Sequence, residues 1–278
     1  MKIKELIEYG KNTLNKNEVQ DSSIISRILA EYILNFNRQE IIANLDKEVE
    51  EEQRVRYYLA LIEIIQGMPI QYITNKQEFM KLDFYVDENV LIPQPDTEIL
   101  VEKAIEEAKK IENVEILDMC TGSGCIGISI AKNIENAKVT LVDISKYAIE
   151  IAKKNALRNK VESQLTFIQS NMFEKVEKNF DIIVSNPPYI KTDVIPKLDK
   201  QVQNEPHIAL DGGKDGLKFY KIIIEEAQKY LKENGKLILE IGYDQKEELE
   251  NLIKQSGQYK KIEVIKDLSQ NDRVIIVK

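Results

Sequence analysis

Residues 114–127, VEILDMCTGSGCIG, decide the fold of this chain. They begin as a short apolar run, which is typical of a buried strand, and they end on the first residues of an apolar helical pattern. Between the two, the glycines follow a G-x-G-x-x-G spacing. Glycine lets the backbone turn sharply and approach a ligand closely, and the start of a helix offers free N–H groups. The stretch therefore predicts a strand, a ligand-binding loop and a helix.

The same alternation of strand and helix continues to the end of the chain. Six further strands are predicted at 138–142, 164–168, 181–185, 236–241, 261–265 and 273–277. Helical patterns separate most of them, which favours a mostly parallel sheet covered on both faces. The link between the last two strands is too short for a helical crossover, so the last strand should pair antiparallel. The predicted fold class is α/β with a seven-stranded sheet.

The amino-terminal part differs in pattern, because apolar residues recur there at helical spacing up to about residue 67. A short alternation of apolar and polar residues follows at 79–86 and predicts a β-hairpin, and the chain is then extended and proline-rich to about residue 96. We therefore predict a helical domain at 1–70, a hairpin and extended linker at 71–95, and a catalytic domain at 96–278.

Composition narrows the function classes. The 278 residues are 43% hydrophobic and 31% charged, with a net charge of −8. An acidic chain is a poor candidate for gripping a nucleic-acid backbone, so we expect no direct nucleic-acid partner. Nothing resembles a signal peptide or a membrane span, and the two cysteines, Cys120 and Cys125, match no zinc spacing. We expect a cytoplasmic monomer without a metal site, in which the single His207 is a loop residue.

The sequence Asn186-Pro187-Pro188-Tyr189 follows the predicted strand at 181–185. Two prolines fix their own φ angles and restrict the residue before them to an extended shape. The result is a stiff loop that presents one amide and one aromatic ring at the carboxyl end of a strand, where open α/β sheets bind ligands. Such a loop resembles the active-site motif of enzymes that methylate a planar nitrogen, either a side-chain amide or an exocyclic base amine.

A cofactor site is predicted around the glycine loop. Asp143 ends the next strand, where a carboxylate can accept hydrogen bonds from the two hydroxyls of an adenosine ribose. The glycine spacing alone would also suit a nicotinamide dehydrogenase. Asp118 favours S-adenosylmethionine, because a carboxylate before the loop could hold the methionine ammonium but would repel a pyrophosphate. The Asn186 loop has no role in hydride transfer.

Taken together, these motifs resemble the HemK-type family of release factor glutamine methyltransferases. The resemblance covers most of the chain from residue 67 onward. Besides the glycine loop and the Asn186 loop, the matching segments are GMPIQYI at 67–73, LIPQPDTE at 91–98, Glu205-Pro206 with Ala209-Leu210, GKDGL at 213–217, Glu240-Ile241-Gly242 and Asp272-Arg273-Val274. Each segment alone is weak, but their joint order is specific.

The resemblance implies a Rossmann-like, S-adenosylmethionine-dependent methyltransferase domain that acts on the glutamine N5 of the Gly-Gly-Gln motif in class-1 peptide chain release factors. Asn186, Pro187 and Tyr189 are the implied catalytic residues, and together with Pro188 they bind the substrate. The expected cofactor contacts are Asp118, Cys120, Thr121, Gly122, Ser123, Gly124, Asp143, Ile144, Asn171, Met172 and Asn186. The amino-terminal helices are expected to recognise the protein substrate.

Some residues depart from the family pattern: Gln94 replaces an arginine, Cys120 and Cys125 replace a glycine and an alanine, and Asn171-Met172 replaces an aspartate and a larger residue. None of these removes an expected catalytic group. Methylation of a ribosomal-protein glutamine remains open as an alternative, and adenine-N6 methylation of nucleic acid is a weaker one. A non-catalytic nucleotide-binding module would require a broken motif, and none is present.

Overall fold

The computed structural model describes residues 1–278. Its helices are α1 (Ile3–Lys16), α2 (Ser22–Leu34), α3 (Arg38–Ala43), α4 (Glu51–Ile65), α5 (Ile70–Thr74), α6 (Glu98–Ala108), α7 (Cys125–Asn133), α8 (Lys146–Asn159), α9 (Lys200–Gln203), α10 (His207–Leu210), α11 (Lys218–Glu226) and α12 (Lys246–Ser256). Its strands are β1 (Gln77–Phe79), β2 (Leu82–Phe84), β3 (Glu115–Met119), β4 (Lys138–Asp143), β5 (Leu165–Gln169), β6 (Phe180–Ser185), β7 (Leu231–Glu240), β8 (Ile262–Lys266) and β9 (Asp272–Val277). None of the helices is both long and apolar enough to cross a membrane.

The chain forms two compact units. The first comprises Met1–Asn75 together with Asp199–Asn204. Its core contains the fully buried Tyr57, whose hydroxyl donates to the Ser26 carbonyl at 2.9 Å. Gly10 allows α1 to pass close to this ring, because a Cβ at Gly10 would lie 2.1 Å from the Tyr57 oxygen. The first unit is thus a small helical bundle whose mainly aliphatic core includes Tyr57.

The second unit comprises Lys76–Leu198 together with Glu205–Lys278. It contains a seven-stranded sheet in the order β5-β4-β3-β6-β7-β9-β8. The strands from β5 to β7 are parallel, whereas β9 pairs antiparallel with both β7 and β8. The predicted α/β class, the seven strands and the antiparallel last strand are confirmed.

Both faces of the sheet are covered. On one face, β3 and β4 pack under the buried sides of α6, α7 and α8, and on the other face the buried sides of α11 and α12 pack on the sheet. The predicted hairpin forms as β1 and β2, and its Phe79 and Phe84 join the core beside α6, with ring centroids 6.1 Å apart. Helices on both faces leave the carboxyl ends of the parallel strands open for a site.

Two boundaries differ from the sequence expectation. Strand β7 begins at Leu231 rather than at 236, and its register with β6 shifts between Phe180 and Ile182. The polar stretch 232–235 interrupts the apolar pattern, so the pattern does not indicate this start. Within the stretch, Asn234 has φ +64°. The segment Asp199–Asn204 belongs to the helical unit, where the Asn204 side chain donates to the Gly67 carbonyl at 3.0 Å. The domain limits at 70 and 95 stay predictions.

Candidate active site at the carboxyl end of the sheet

Strands β3 and β6 bring the two sequence motifs together. They are parallel neighbours, and Met119 pairs in register with Ser185. The buried Ser185 hydroxyl also donates to the Met119 carbonyl at 2.6 Å. The residues that follow are Cys120 of the glycine loop and Asn186 of the Asn186-Pro187-Pro188-Tyr189 segment, called the proline loop below. They therefore leave the sheet side by side. This is the point where the strand order reverses, which is where open α/β sheets bind ligands.

A cavity of about 360 Å³ opens at this edge, a size in the range of small-molecule sites. Eight of the predicted site residues line it: Cys120, Gly122, Asp143, Ile144, Asn171, Met172, Asn186 and Pro188. Most of the remaining wall is contributed by Asn89, Val90, Leu91, Ser145, Ala148, Ser170, Ile208, Ala209, Lys218, Phe219 and Ile222. The structure thus places residues as far apart in the sequence as Asn89 and Ile222 around one space.

The glycine loop owes its shape to left-handed backbone conformations. Cys120, Gly122 and Gly124 have φ angles of +61°, +54° and +82°. A Cβ at Gly124 would lie 2.8 Å from the Ile128 Cδ1 and 3.0 Å from the Ala152 Cβ, so only glycine fits there. Cys120 takes a conformation that glycine adopts without strain, which explains why the resemblance leads us to expect a glycine at this position.

Asp143 at the end of β4 is the acidic side chain of the cavity wall. Its Oδ2 accepts a hydrogen bond from the Gly122 N–H and its Oδ1 one from the Ser145 N–H, both at 2.9 Å. Burial raises the pKa of this carboxyl, and the backbone donors oppose that rise. Each carboxylate oxygen can accept a second bond. Asp143 therefore shapes the glycine loop and still has acceptor capacity toward the cavity.

In the proline loop, Asn186 and Pro188 line the cavity, while Pro187 and Tyr189 do not. The Asn186 side-chain nitrogen donates to the Thr97 hydroxyl at 3.1 Å. The Tyr189 hydroxyl donates to Glu240 Oε1 at 3.3 Å, so this ring is anchored away from the wall. The backbone of Tyr189 is closely packed, because a Cβ at Gly212 would lie 2.7 Å from its Cα.

Asp118 lies near the end of β3, before the glycine loop, as predicted, but its carboxylate is fully buried and is not part of the cavity wall. Its Oδ2 accepts hydrogen bonds from the Thr121 hydroxyl and from the Gly127 N–H, and its Oδ1 has no partner. The expected contact with a ligand ammonium is therefore not prepared in this structure. Instead, Asp118 ties the glycine loop to the start of α7. Thr121, Ser123 and Gly124 are likewise buried and off the cavity wall.

Asp118 gives a testable pH dependence of stability. Burial raises its pKa from 3.8 to about 7, so between these values the folded protein holds a proton that the unfolded chain has lost. The free energy of unfolding should therefore fall as pH rises through this window and stay low above it. Asp118→Asn should make that fall smaller, as measured by denaturant unfolding at several pH values. Glu205 and Glu240, whose pKa values burial also raises to about 7, are present in both proteins. An identical fall in both would contradict the assignment.

The sequence expectation missed the part of the wall that comes from α11. Lys218, Phe219 and Ile222 lie there, and Phe219 and Ile222 are one helical turn apart. The neighbouring Tyr220 and Ile223 point into the core instead. An apolar pair just outside the core-facing positions of a helix is the signal that could have found them.

Comparison with known proteins identifies related methyltransferases. The Methyltransferase small domain family matches residues 94–210, and the PrmC N-terminal domain family matches residues 5–74. Among solved structures, a methyltransferase from Pyrococcus furiosus has a TM-score of 0.54 at 24% identity, covering 79% of this chain and 97% of that one. This likeness shows a shared fold.

Sequence relatives are closer. A release factor glutamine methyltransferase of Clostridium acetobutylicum is 41% identical over 280 residues, covering 99% of this chain and 98% of the relative. The relative of that name in Clostridium botulinum is 39% identical over the same shares, and the one in Fusobacterium nucleatum is 40% identical, covering 95% of this chain and 75% of its own length. Identity at this level over nearly the whole length places the chain in the release factor glutamine methyltransferase family.

Proposed function

We propose that this protein transfers a methyl group from S-adenosylmethionine to the N5 nitrogen of the glutamine in the Gly-Gly-Gln motif of class-1 peptide chain release factors. The observation that carries the proposal is the shared cavity wall, which is lined by Asn186 and by Asp143 with Gly122. The proline loop supplies an amide for an amide substrate, while Gly122 of the glycine loop and Asp143 at the end of β4 supply backbone and carboxylate for a nucleoside. The named relatives support the choice of acceptor.

The cavity suits the proposed cofactor. Asp143 would accept the ribose hydroxyls, while Ile144 and Met172 offer apolar surface for an adenine ring. Asn171 is exposed at the rim, where its side-chain nitrogen donates to Glu174 at 2.6 Å and its oxygen is left for a ligand. When bound, S-adenosylmethionine supplies an electrophilic methyl carbon on a cationic sulfur. Asp118, the predicted ammonium contact, is not among the residues to which we assign the cofactor.

The amide acceptor is a chemical problem, because its nitrogen shares the lone pair with the neighbouring carbonyl. We propose that the Asn186 oxygen and the Pro187 carbonyl each accept one N–H of the substrate amide. Both protons are then held, and the nitrogen is oriented rather than deprotonated in advance. Proline suits position 187 because only its carbonyl is needed. Two parts of this arrangement do not lie on the cavity wall in the structure: Pro187, whose carbonyl we assign to the substrate, and the Tyr189 ring, which we predicted to pack against the amide plane.

We propose that residues 1–70 recognise the protein substrate and hold no chemistry. In support, α4 exposes three apolar side chains on one face: Val55 at 48%, Leu59 at 56% and Ile62 at 51%. Their spacing of four and then three residues places them in one stripe of the helix. An exposed apolar stripe is suited to binding another protein. We further propose that the protein acts as a cytoplasmic monomer.

A charge in this stripe should weaken the use of the protein substrate. Leu59→Glu is expected to lower kcat/KM for intact release factor about tenfold, because a carboxylate would be desolvated on docking. The affinity for S-adenosylmethionine should not change. The matched control is Leu157→Glu, which places the same charge on a leucine of α8 that is 63% exposed. Equal rates for Leu59→Glu and Leu157→Glu would refute the proposed role of α4.

Two other methyl-accepting groups could be held by the same Asn186 and Pro187 oxygens. A ribosomal-protein glutamine carries the same amide, and the exocyclic amine of adenine also has two N–H groups. The net charge of −8 disfavours a nucleic-acid partner. To identify the methyl acceptor, S-adenosylmethionine with a labelled methyl group is supplied together with purified release factor, ribosomes or DNA in parallel reactions. Label in the release factor alone is the expected result, and label only in ribosomes or DNA would reject the proposed substrate.

A further inference from the structure

The side-chain amide of Asn186 has two ends with opposite hydrogen-bonding character, a donor nitrogen and an acceptor oxygen. The proposed chemistry requires the oxygen end to face the substrate. In the structure the nitrogen is engaged, since it donates to the Thr97 hydroxyl at 3.1 Å. Thr97 is 2% exposed and ends the short 3₁₀ turn Pro95–Thr97. A buried acceptor thus holds the end of the amide that the chemistry does not use.

A threonine hydroxyl can also donate, so its orientation must be set by a further group. That group is Glu240, which ends β7 and is 2% exposed. Its Oε2 has no hydrogen-bond partner, and the Thr97 side chain is among the groups that oppose the rise in the pKa of this carboxyl caused by burial, so Thr97 lies near it. In its ionised form, Glu240 only accepts hydrogen bonds. When the Thr97 proton is directed toward Glu240, the Thr97 oxygen is left to accept from Asn186.

We propose that Thr97 is a positioning residue for the methyl-transfer reaction: it fixes the amide of Asn186 with the nitrogen toward the protein and the oxygen toward the cavity. This inference rests on the proposed function for its consequence in catalysis. Without the hydroxyl, rotation of the amide would present an N–H to the substrate N–H, which is a repulsive pairing. At the other end of the proline loop, the Tyr189 hydroxyl donates to Oε1 of the same Glu240.

The test is the pair Thr97→Val and Thr97→Ser. Valine keeps the shape of threonine and removes the hydroxyl, while serine keeps the hydroxyl. The first readout is the NMR signal of the Asn186 side-chain amide in the full-length protein, assigned by its absence from Asn186→Ala. In Thr97→Val one amide proton loses its acceptor, so its signal should shift and its exchange with water should speed up about tenfold. In Thr97→Ser both properties should stay close to those of the wild type.

The second readout is kinetic. Thr97→Val should lower kcat about tenfold at unchanged affinity for S-adenosylmethionine, and Thr97→Ser should restore the rate. Adding Thr97→Val to Asn186→Ala should cost nothing further, because the group it positions is gone. The matched control is Thr140→Val, which removes a hydroxyl from a threonine of β4 that is 6% exposed and off the cavity wall.

Unchanged Asn186 amide signals in Thr97→Val would overturn the inference, and so would a wild-type kcat in Thr97→Val. Equal damage by valine and serine would also overturn it, since that pattern reports packing and not the hydroxyl. A wild-type protein that methylates no release factor would reject the proposed function instead. The NMR comparison would still decide whether Thr97 holds the amide.

Discussion

Asn186→Ala is expected to lower the rate of methyl transfer about 100-fold or more, the scale seen when one preorganised hydrogen-bonding group is removed from an active site. The fold should persist, because Asn186 is a partly exposed cavity residue whose side chain donates a hydrogen bond to Thr97. Affinity for S-adenosylmethionine should be largely retained. Single-turnover rates, with cofactor affinity measured separately by calorimetry, check the expectation.

Asn186→Asp is the sharper variant, since it keeps an acceptor oxygen in the same shape but cannot donate to Thr97. Measurable activity in Asp but not in Ala would show that accepting an N–H is the main role. If Asp fails as badly as Ala, the nitrogen is needed too, as the contact with Thr97 implies. Asn133→Ala is the matched control, because this asparagine of α7 bonds only within its own helix. A wild-type rate in Asn186→Ala would overturn the mechanism.

Asp143→Ala should weaken the binding of S-adenosylmethionine by about 1.5–3 kcal/mol, because charge-assisted hydrogen bonds to the ribose are lost. The structure adds a second cause, since the same carboxylate holds the N–H groups of Gly122 and Ser145. Loss of both contacts should loosen the glycine loop as well. Calorimetry with S-adenosylmethionine measures the affinity, and an unchanged value would reject the cofactor site.

Asp143→Asn separates the two causes. It keeps one acceptor oxygen and nearly the same volume but has no charge. If the charge toward the ribose dominates, the affinity of Asn should lie close to that of Ala. If loop shape dominates, Asn should recover most of the wild-type affinity. Thermal unfolding of the three proteins shows how much of the change comes from the fold itself.

The sheet and the position of each loop at the carboxyl end of a strand could be predicted from sequence because they depend on local patterns. Buried parallel strands are continuous apolar runs, as at β3 and β6, and the carboxyl ends of such strands lie at one edge of the sheet. Asn186 directly follows β6, and Gly122 lies in the loop that follows β3. Their place at one edge of the sheet therefore follows from sequence, whereas the strand order that makes β3 and β6 neighbours is known from the structure.

Contacts that depend on side-chain direction could not be predicted. Asp118 and Asp143 both stand at strand ends, yet the first is buried against α7 and the second lines the cavity. Strand position fixes where the backbone is, but alternation and local packing decide which way a carboxylate points. Tyr189 illustrates the same limit, since its hydroxyl reaches Glu240 from another strand. The contact between Asn186 and Thr97 spans 89 positions of the sequence, and no local pattern announces it.

The most direct test of the central claim is tandem mass spectrometry of a class-1 release factor after incubation with this protein and S-adenosylmethionine. We expect a single methyl group on the glutamine of the Gly-Gly-Gln peptide, with fragment ions that place it on the side-chain nitrogen. With Asn186→Ala under the same conditions, that peptide should stay almost unmodified. A methyl group on any other residue, or an unmodified glutamine with the wild-type protein, would contradict the account.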